Sequence, residues 1–180
     1  MKKATVLFSI LLAYSGILLA QTPLRPVNEG SKVSFVIKNF GMNTNGSLTG
    51  LNGNIAFDAL HVENSHFDVT VAANSINTNN NKRDGHLRKE EYFDVAKYAA
   101  IRLASTEVRK TAVAGTFTFV GLLTIKGISK KIAFDFSATP KNGGQLFEGS
   151  FSINRRDFGV GGGSMVLSDN VAVTLSVFAR

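Results

Sequence analysis

From Gly30 onward the apolar residues of this chain recur at every second position, and that period decides its fold class. Val33, Phe35 and Ile37 alternate with Ser34, Val36 and Lys38. Leu51, Gly53, Ile55 and Phe57 alternate with Asn52, Asn54, Ala56 and Asp58, and Phe67, Val69 and Val71 alternate with His66, Asp68 and Thr70. Further on, Ile101, Leu103 and Ser105 share one face, as do Phe117, Phe119, Gly121, Leu123 and Ile125. The last three such faces are Ile132–Ala138, Phe147–Ile153 and Val171–Val177. In an extended chain successive side chains point to opposite faces, so this pattern marks strands with one apolar and one wetter face.

Turn chemistry separates the strands. Asn142-Gly143-Gly144 follows Pro140, and Lys126-Gly127 interrupts the pattern between the fifth and sixth strands. Asn and Gly tolerate the positive φ that tight hairpins need. Pro23, Pro26 and Pro140 fall outside the proposed strands, so no ladder loses a donor. The strands are long, and internal glycines at 50, 53, 121 and 149 allow coiling or bulges. These features favour an all-β, extended eight-stranded antiparallel barrel over a compact sandwich. Phe35, Ile37, Ile55 and Phe57 on the early strands are candidate apolar lining, followed by Phe67, Leu103, Phe119 and Leu123. Phe134, Phe136, Phe151 and Val173 complete the set. Such an interior suits an apolar chain and not a sugar or nucleotide. Periodicity alone leaves open whether the barrel is hollow or filled by its own side chains.

One stretch breaks the period. Asn79–Val95 is dense in charge and carries Leu87, Tyr92 and Phe93 among the charges. It reads as one or two short helical turns with those three residues packed downward and Asp84 as the N-cap. It is either a solvated crossover between strands or a rim over a cavity. Arg83, Asp84 and His86 are its polar candidates: a capping and salt-bridging network, or head-group contacts.

At the N-terminus, Lys2 and Lys3 precede an apolar run from Ala4 to Leu19, ending at Leu18-Leu19-Ala20 before polar Gln21-Thr22. This is the layout of a signal peptide over residues 1–20, with cleavage near Ala20 and export to the periplasm or medium as the expectation. The run is short for a membrane span. With no cysteine in the chain, neither disulfides nor thiolate metal sites are available, and the exported domain must be stabilised by its core. The formal charge of +7 falls to about +5 without Lys2 and Lys3. The remaining basic residues are scattered pairs rather than a stripe, which argues against nucleic acid and allows transient contact with a membrane surface.

The usual catalytic signatures are missing. His61 and His66, five apart, point to opposite faces of a strand and make a poor metal pair. Asp84 and His86 have no Ser or Cys placed beside them by a recognisable motif. The glycine run 159–163 fails G-x-G-x-x-G because Ser164 takes the last position. Asn154–Asp157 reads as a structural ion pair at a strand end. Neither an enzymatic activity, a metal nor a cofactor is expected.

Six segments, in order, carry a resemblance to the YceI-like lipid- and polyisoprenoid-binding proteins. They are Phe35–Gly41, Gly50–Asp58, Ser75–Thr78, Arg83–Arg88 with Tyr92–Asp94, Leu123–Gly127 and Ile153–Gly159. Each alone is weak; together they are specific and span nearly all of residues 30–180. The family often has a proline in the segment matching Tyr98–Ile101, where this chain has Ala99 and Ala100. The resemblance implies a lipocalin-like barrel domain over residues 21–180, exported to the periplasm. Its implied ligand is an isoprenoid or other long-chain lipid: a polyisoprenoid, isoprenoid quinone or fatty-acid derivative. It implies no catalytic residues. The expected function is that of a carrier or sequestering protein for such an amphiphile. The alternatives are an envelope scaffold with a self-filled barrel and an enzyme acting on lipid or quinone substrates.

Overall fold

The computed structural model describes residues 23–180; the expected signal peptide lies outside them. Nine strands form one antiparallel sheet: β1 (Lys32–Asn39), β2 (Met42–Leu48), β3 (Asn52–Ala56), β4 (His66–Ala72) and β5 (Ala100–Lys110), then β6 (Thr116–Ile125), β7 (Ile128–Lys141), β8 (Gly144–Asn154) and β9 (Leu167–Ala179). Their spatial order is β2-β1-β9-β8-β7-β6-β5-β4-β3. Among the described residues the one α-helix, α1 (Asn81–Leu87), lies in the β4–β5 connection. The sheet is curled and barrel-like, and the strands other than β2 carry the expected alternation.

The ninth strand is β2. Its sequence, Met-Asn-Thr-Asn-Gly-Ser-Leu, has almost no apolar alternation, so period two does not find it. It forms because β1 turns back on itself at Phe40-Gly41 and supplies a backbone template from Asn39↔Met42 to Val33↔Leu48. Gly46 is required there: a Cβ would lie 2.1 Å from the Phe35 ring, which rests on that bare backbone. The other tight hairpins follow the turn signals. Lys126-Gly127 joins paired Ile125 and Ile128, and Asn142-Gly143 joins paired Lys141 and Gly144. All four turn residues have positive φ, as type I′ turns demand.

Pro140 lies inside β7 and not outside the strands, opposite Gln145. The ladder tolerates it because β6 stops opposite Ser137, leaving β7 one strand partner at that point. A bulge between Ser105 and Glu107 sharpens the coil where β5 crosses β6. Opposite it, Gly121 leaves room for Ala104 O, which a Cβ would approach to 2.2 Å.

The outermost strands, β2 and β3, do not pair with each other. At one end residues 24–27 bridge the gap: Leu24 exchanges both backbone bonds with Ile55 at 2.8 Å, and Arg25 exchanges bonds with Arg180 at 2.9 and 3.1 Å. At the other, Ser47 exchanges bonds with Asn77 at 2.9 and 3.0 Å, and Ala72 N–H donates to Thr49 O at 3.0 Å. These links satisfy edge groups that would otherwise invite strand addition.

Candidate functional site

The interior is divided along the strand axis into a filled half and an open half. In the filled half, the ring of Phe57, just past β3, and rings from β4, β6, β7 and β8 meet, mostly edge to face. Phe57 lies 5.1 Å from Phe117 and 5.3 Å from Phe147, and Phe67 lies 5.4 Å from both Phe136 and Phe147. Ring edges are positive and faces negative, so this geometry packs six-membered rings densely without a sandwich. Phe119 and Ile55, each 2% exposed, close this cluster with Val108.

The open half holds a cavity of about 570 Å³, within the range of sites that take small molecules. Its wall is aliphatic and aromatic. The strand register sets Phe35, Val173 and Phe151 side by side across β1, β9 and β8, and all three line the cavity. Ile37, Leu103 and Leu123 line it too. Half of the twelve expected lining residues therefore reach it. Ile55, Phe57, Phe67, Phe119, Phe134 and Phe136 do not; they belong to the filled half. The reason is that alternation assigns a face but not a depth. On β6, Phe119 and Leu123 share a face, yet they stand four residues apart, about 13 Å along a strand, and so lie in different halves.

The charged stretch caps the open half. Leu87, Tyr92 and Phe93 turn down onto the cavity, so the stretch is its rim rather than a plain crossover. The cap of α1 is Asn80, not Asp84: its side chain accepts from Arg83 N–H at 3.0 Å. Asp84 sits one turn in, 3% exposed, and accepts from Thr78 N–H at 2.9 Å and from the Thr78 hydroxyl at 2.5 Å. Arg83 donates through Nε to Thr78 Oγ1 at 2.7 Å and through Nη2 to Thr78 O at 2.8 Å. Arg88 reaches Asn74 O at 2.8 Å and Ile76 O at 3.0 Å. These bonds tie α1 to residues 74–78, which are tied in turn to β2. Asp84 is thus a structural anchor that does not line the cavity. Removing a buried acceptor strands its donors, so Asp84→Ala should lower unfolding free energy by about 1–3 kcal/mol, read from urea denaturation.

Arg83 and His86 do reach the cavity mouth. The His86 ring lies 4.9 Å from Tyr92, and its Nε2 is 3.8 Å from Glu91. Opposite them runs the 159–166 loop. Gly161 N–H donates to Glu91 O at 2.9 Å, joining this loop to the rim. Gly161 has φ +69°, and a Cβ there would sit 2.8 Å from the Tyr92 ring, so glycine is needed on both counts. Arg155, 4% exposed, anchors the loop. It donates to Val160 O at 2.8 Å, Ser168 O at 3.0 Å and Asp169 Oδ1 at 2.8 Å. The ion pair expected within Asn154–Asp157 instead reaches across the loop to Asp169. Neither the loop's place at the mouth nor Asp169's partnership has a local sequence signal, because both depend on where β9 begins.

His61 and His66 lie away from the cavity. His61 Nδ1 is 3.2 Å from Asp58, and the backbone N–H groups of His61 and Leu60 hold the Asp58 carboxyl below its ordinary range. Among the described residues no group of three or more His, Asp or Glu side chains converges in a metal-binding arrangement.

Residues 25–179 match the model of the YceI-like domain. A UPF0312 protein of Yersinia enterocolitica is 32% identical over 152 residues, which span 81% of this chain and 78% of that protein. Among solved structures, Burkholderia cenocepacia BcnA superposes with a TM-score of 0.81 at 22% identity, covering 86% of this chain and 99% of that one. A polyisoprenoid-binding domain from Saccharophagus degradans superposes with a TM-score of 0.68 at 17% identity, covering 87% of this chain and 97% of that one. A match over nearly the whole described chain, together with a relative of this identity, places the protein in the YceI-like family.

Proposed function

We propose that this protein is an exported carrier or sequestering protein for an amphiphile with a long apolar tail, of the polyisoprenoid, isoprenoid quinone or fatty-acid class. The observation that carries this reading is the cavity: about 570 Å³, walled by apolar side chains, with Arg83, His86 and Glu91 gathered at its mouth. Membership of the YceI-like family supports it, as does the likeness to a domain described as polyisoprenoid-binding. The driving force is desolvation, about 0.8 kcal/mol per buried CH₂. A tail of a dozen carbons therefore retains affinity after the cost of ordering it is subtracted. The mouth residues orient the head group, and the smooth wall discriminates poorly between tails. No catalytic role is assigned to any residue.

The test is mass spectrometry of protein purified from its native host without detergent. The expected result is one long-chain lipid per protein in the organic extract, and an intact mass beginning at Gln21. Protein that carries no lipid and takes up none from added polyprenyl phosphate would overturn the carrier reading. A retained Met1 would overturn export by cleavage. The self-filled scaffold is favoured by one feature, the aromatic packing of the other half. It requires that the open half stay empty when a polyprenyl probe is offered.

A further inference from the structure

The exposed large apolar side chains of the described residues are unevenly placed. Leu60 and Val113 lie on loops at the filled end, whereas Phe40, Met42, Ile128, Met165 and Val166 lie at the open end. A lone exposed apolar residue is ordinary; a cluster beside a cavity mouth is not. Four of these residues occupy two adjoining segments, the β1–β2 hairpin and the 159–166 loop. Phe40 N–H donates to Val166 O at 2.8 Å and joins the two. Phe40 is 70% exposed, Met42 71%, and Met165 is fully exposed. Val166 and the flanking Asn39 and Leu167 also line the cavity, so the apolar tip continues directly into the mouth.

Phe40 is badly suited to its place by every local criterion. It is the first residue of the two-residue loop between paired Asn39 and Met42, with φ +50°, followed by Gly41 at +75°. That position favours Asn, Asp or Gly, whose side chains tolerate the left-handed region; a bulky ring rarely occupies it. Backbone preference and solvation both argue against an aromatic here, so neither folding nor solubility explains it. The two segments themselves, Lys38–Asn43 and Gly159–Leu167, carry Lys38 and no acidic residue. Beside Gly163 the half-exposed Arg156 guanidinium lies 3.8 Å from Asp169, a carboxylate that Arg155 also engages at 2.8 Å, so two cations face one anion there.

We propose that this tip docks the protein on a lipid bilayer, with Phe40, Met42 and Met165 entering the boundary between head groups and acyl chains. Lys38 and Arg156 meet anionic head groups around them. The inference extends the carrier reading given above. A long apolar tail that moves from bilayer to cavity through a mouth resting on the membrane never crosses open water. The continuity of the tip with the mouth favours a bilayer over a protein partner, since a bilayer holding long-chain lipid would both cover the tip and present the ligand at the mouth.

The test uses co-flotation of the purified protein with vesicles of phosphatidylethanolamine and phosphatidylglycerol, beside vesicles of phosphatidylcholine alone. A paired variant, F40N with M165S, is compared with wild type. Phe40→Asn suits the turn, so the fold is kept, and circular dichroism and urea denaturation verify this. The expected result is flotation of wild type, stronger on the anionic vesicles, and a partition coefficient about tenfold lower or less for the variant. Transfer of a fluorescent polyprenyl probe from vesicles should slow to a similar degree, while affinity for the same probe delivered from detergent is unchanged. Equal flotation of variant and wild type overturns the proposal. So does wild type that takes up the probe without binding vesicles, which would point to a protein as the occupant of the tip. Failure of the carrier reading is seen separately: a protein that floats through the tip but never takes up the probe is a membrane-docking protein with another ligand.

Discussion

Val173→Asp is expected to weaken binding of a polyprenyl probe about 100-fold or more. Val173 stands between Phe35 and Phe151 in the cross-strand row that walls the cavity. A carboxylate there has no cationic partner among its neighbours in that row. In the empty protein water entering through the mouth solvates it, so the fold survives. When an apolar tail enters, that water must leave and the charge is stripped of its solvation, which costs several kcal/mol without a compensating bond. Val173→Leu, which keeps the wall apolar, should bind within about threefold of wild type. Binding is measured on delipidated protein by tryptophan-free fluorescence of a labelled probe, after circular dichroism has verified the β fold. Undiminished binding by a folded Val173→Asp protein would show that the tail does not occupy this cavity.

Phe119→Ala should have the opposite signature: a loss of about 3–5 kcal/mol in unfolding free energy, with probe affinity little changed in the protein that remains folded. Phe119 is 2% exposed, with its ring 5.0 Å from Phe134 and 6.1 Å from Phe67. Truncation removes its transfer free energy and leaves a void that the neighbouring strands, held by their ladders, cannot close. Phe35→Ala provides the contrast. Its ring already faces the open cavity, so fewer contacts are lost, and the expected cost is about 1–2 kcal/mol with clear loss of probe binding. Urea denaturation of both variants measures the difference. Equal destabilisation would mean that the two halves of the barrel are packed alike.

The contrast between Phe119 and Phe35 shows how much of the site is readable without coordinates. Both residues sit on apolar faces of alternating strands, and both read as candidate lining. Their separation into filled and open halves depends on which rings meet across β3 to β8. That in turn depends on strand register, which no single strand encodes. The rim stretch shows the same limit. Its charge density, its short helix and the downward turn of Leu87, Tyr92 and Phe93 are visible in Asn79–Val95. Its cap is misassigned because Asn80 and Asp84 are both plausible acceptors by type, and only the positions of Arg83 N–H and Thr78 N–H decide between them.

Strand β2 was hidden for a different reason. Its residues have little apolar pattern to display, and it is held chiefly by backbone pairing to β1 and by the hairpin at Phe40-Gly41. A Phe-Gly pair is not a recognisable turn signal, because the residue at the first position is one that the turn disfavours.

The sequence by itself determined the all-β class, most strand positions, the hairpins at Lys126-Gly127 and Asn142-Gly143, and the family. These follow from short-range physics: side-chain alternation along an extended backbone, and the few residues that tolerate positive φ. The tertiary structure alone decided that the barrel is filled at one end and hollow at the other, that Arg155 reaches Asp169 across a loop, and that exposed Phe40 and Met165 border the cavity mouth. Each of these joins residues far apart in the chain. Their meeting is set by the curl and register of nine strands together, a property that the local pattern of any one strand does not contain.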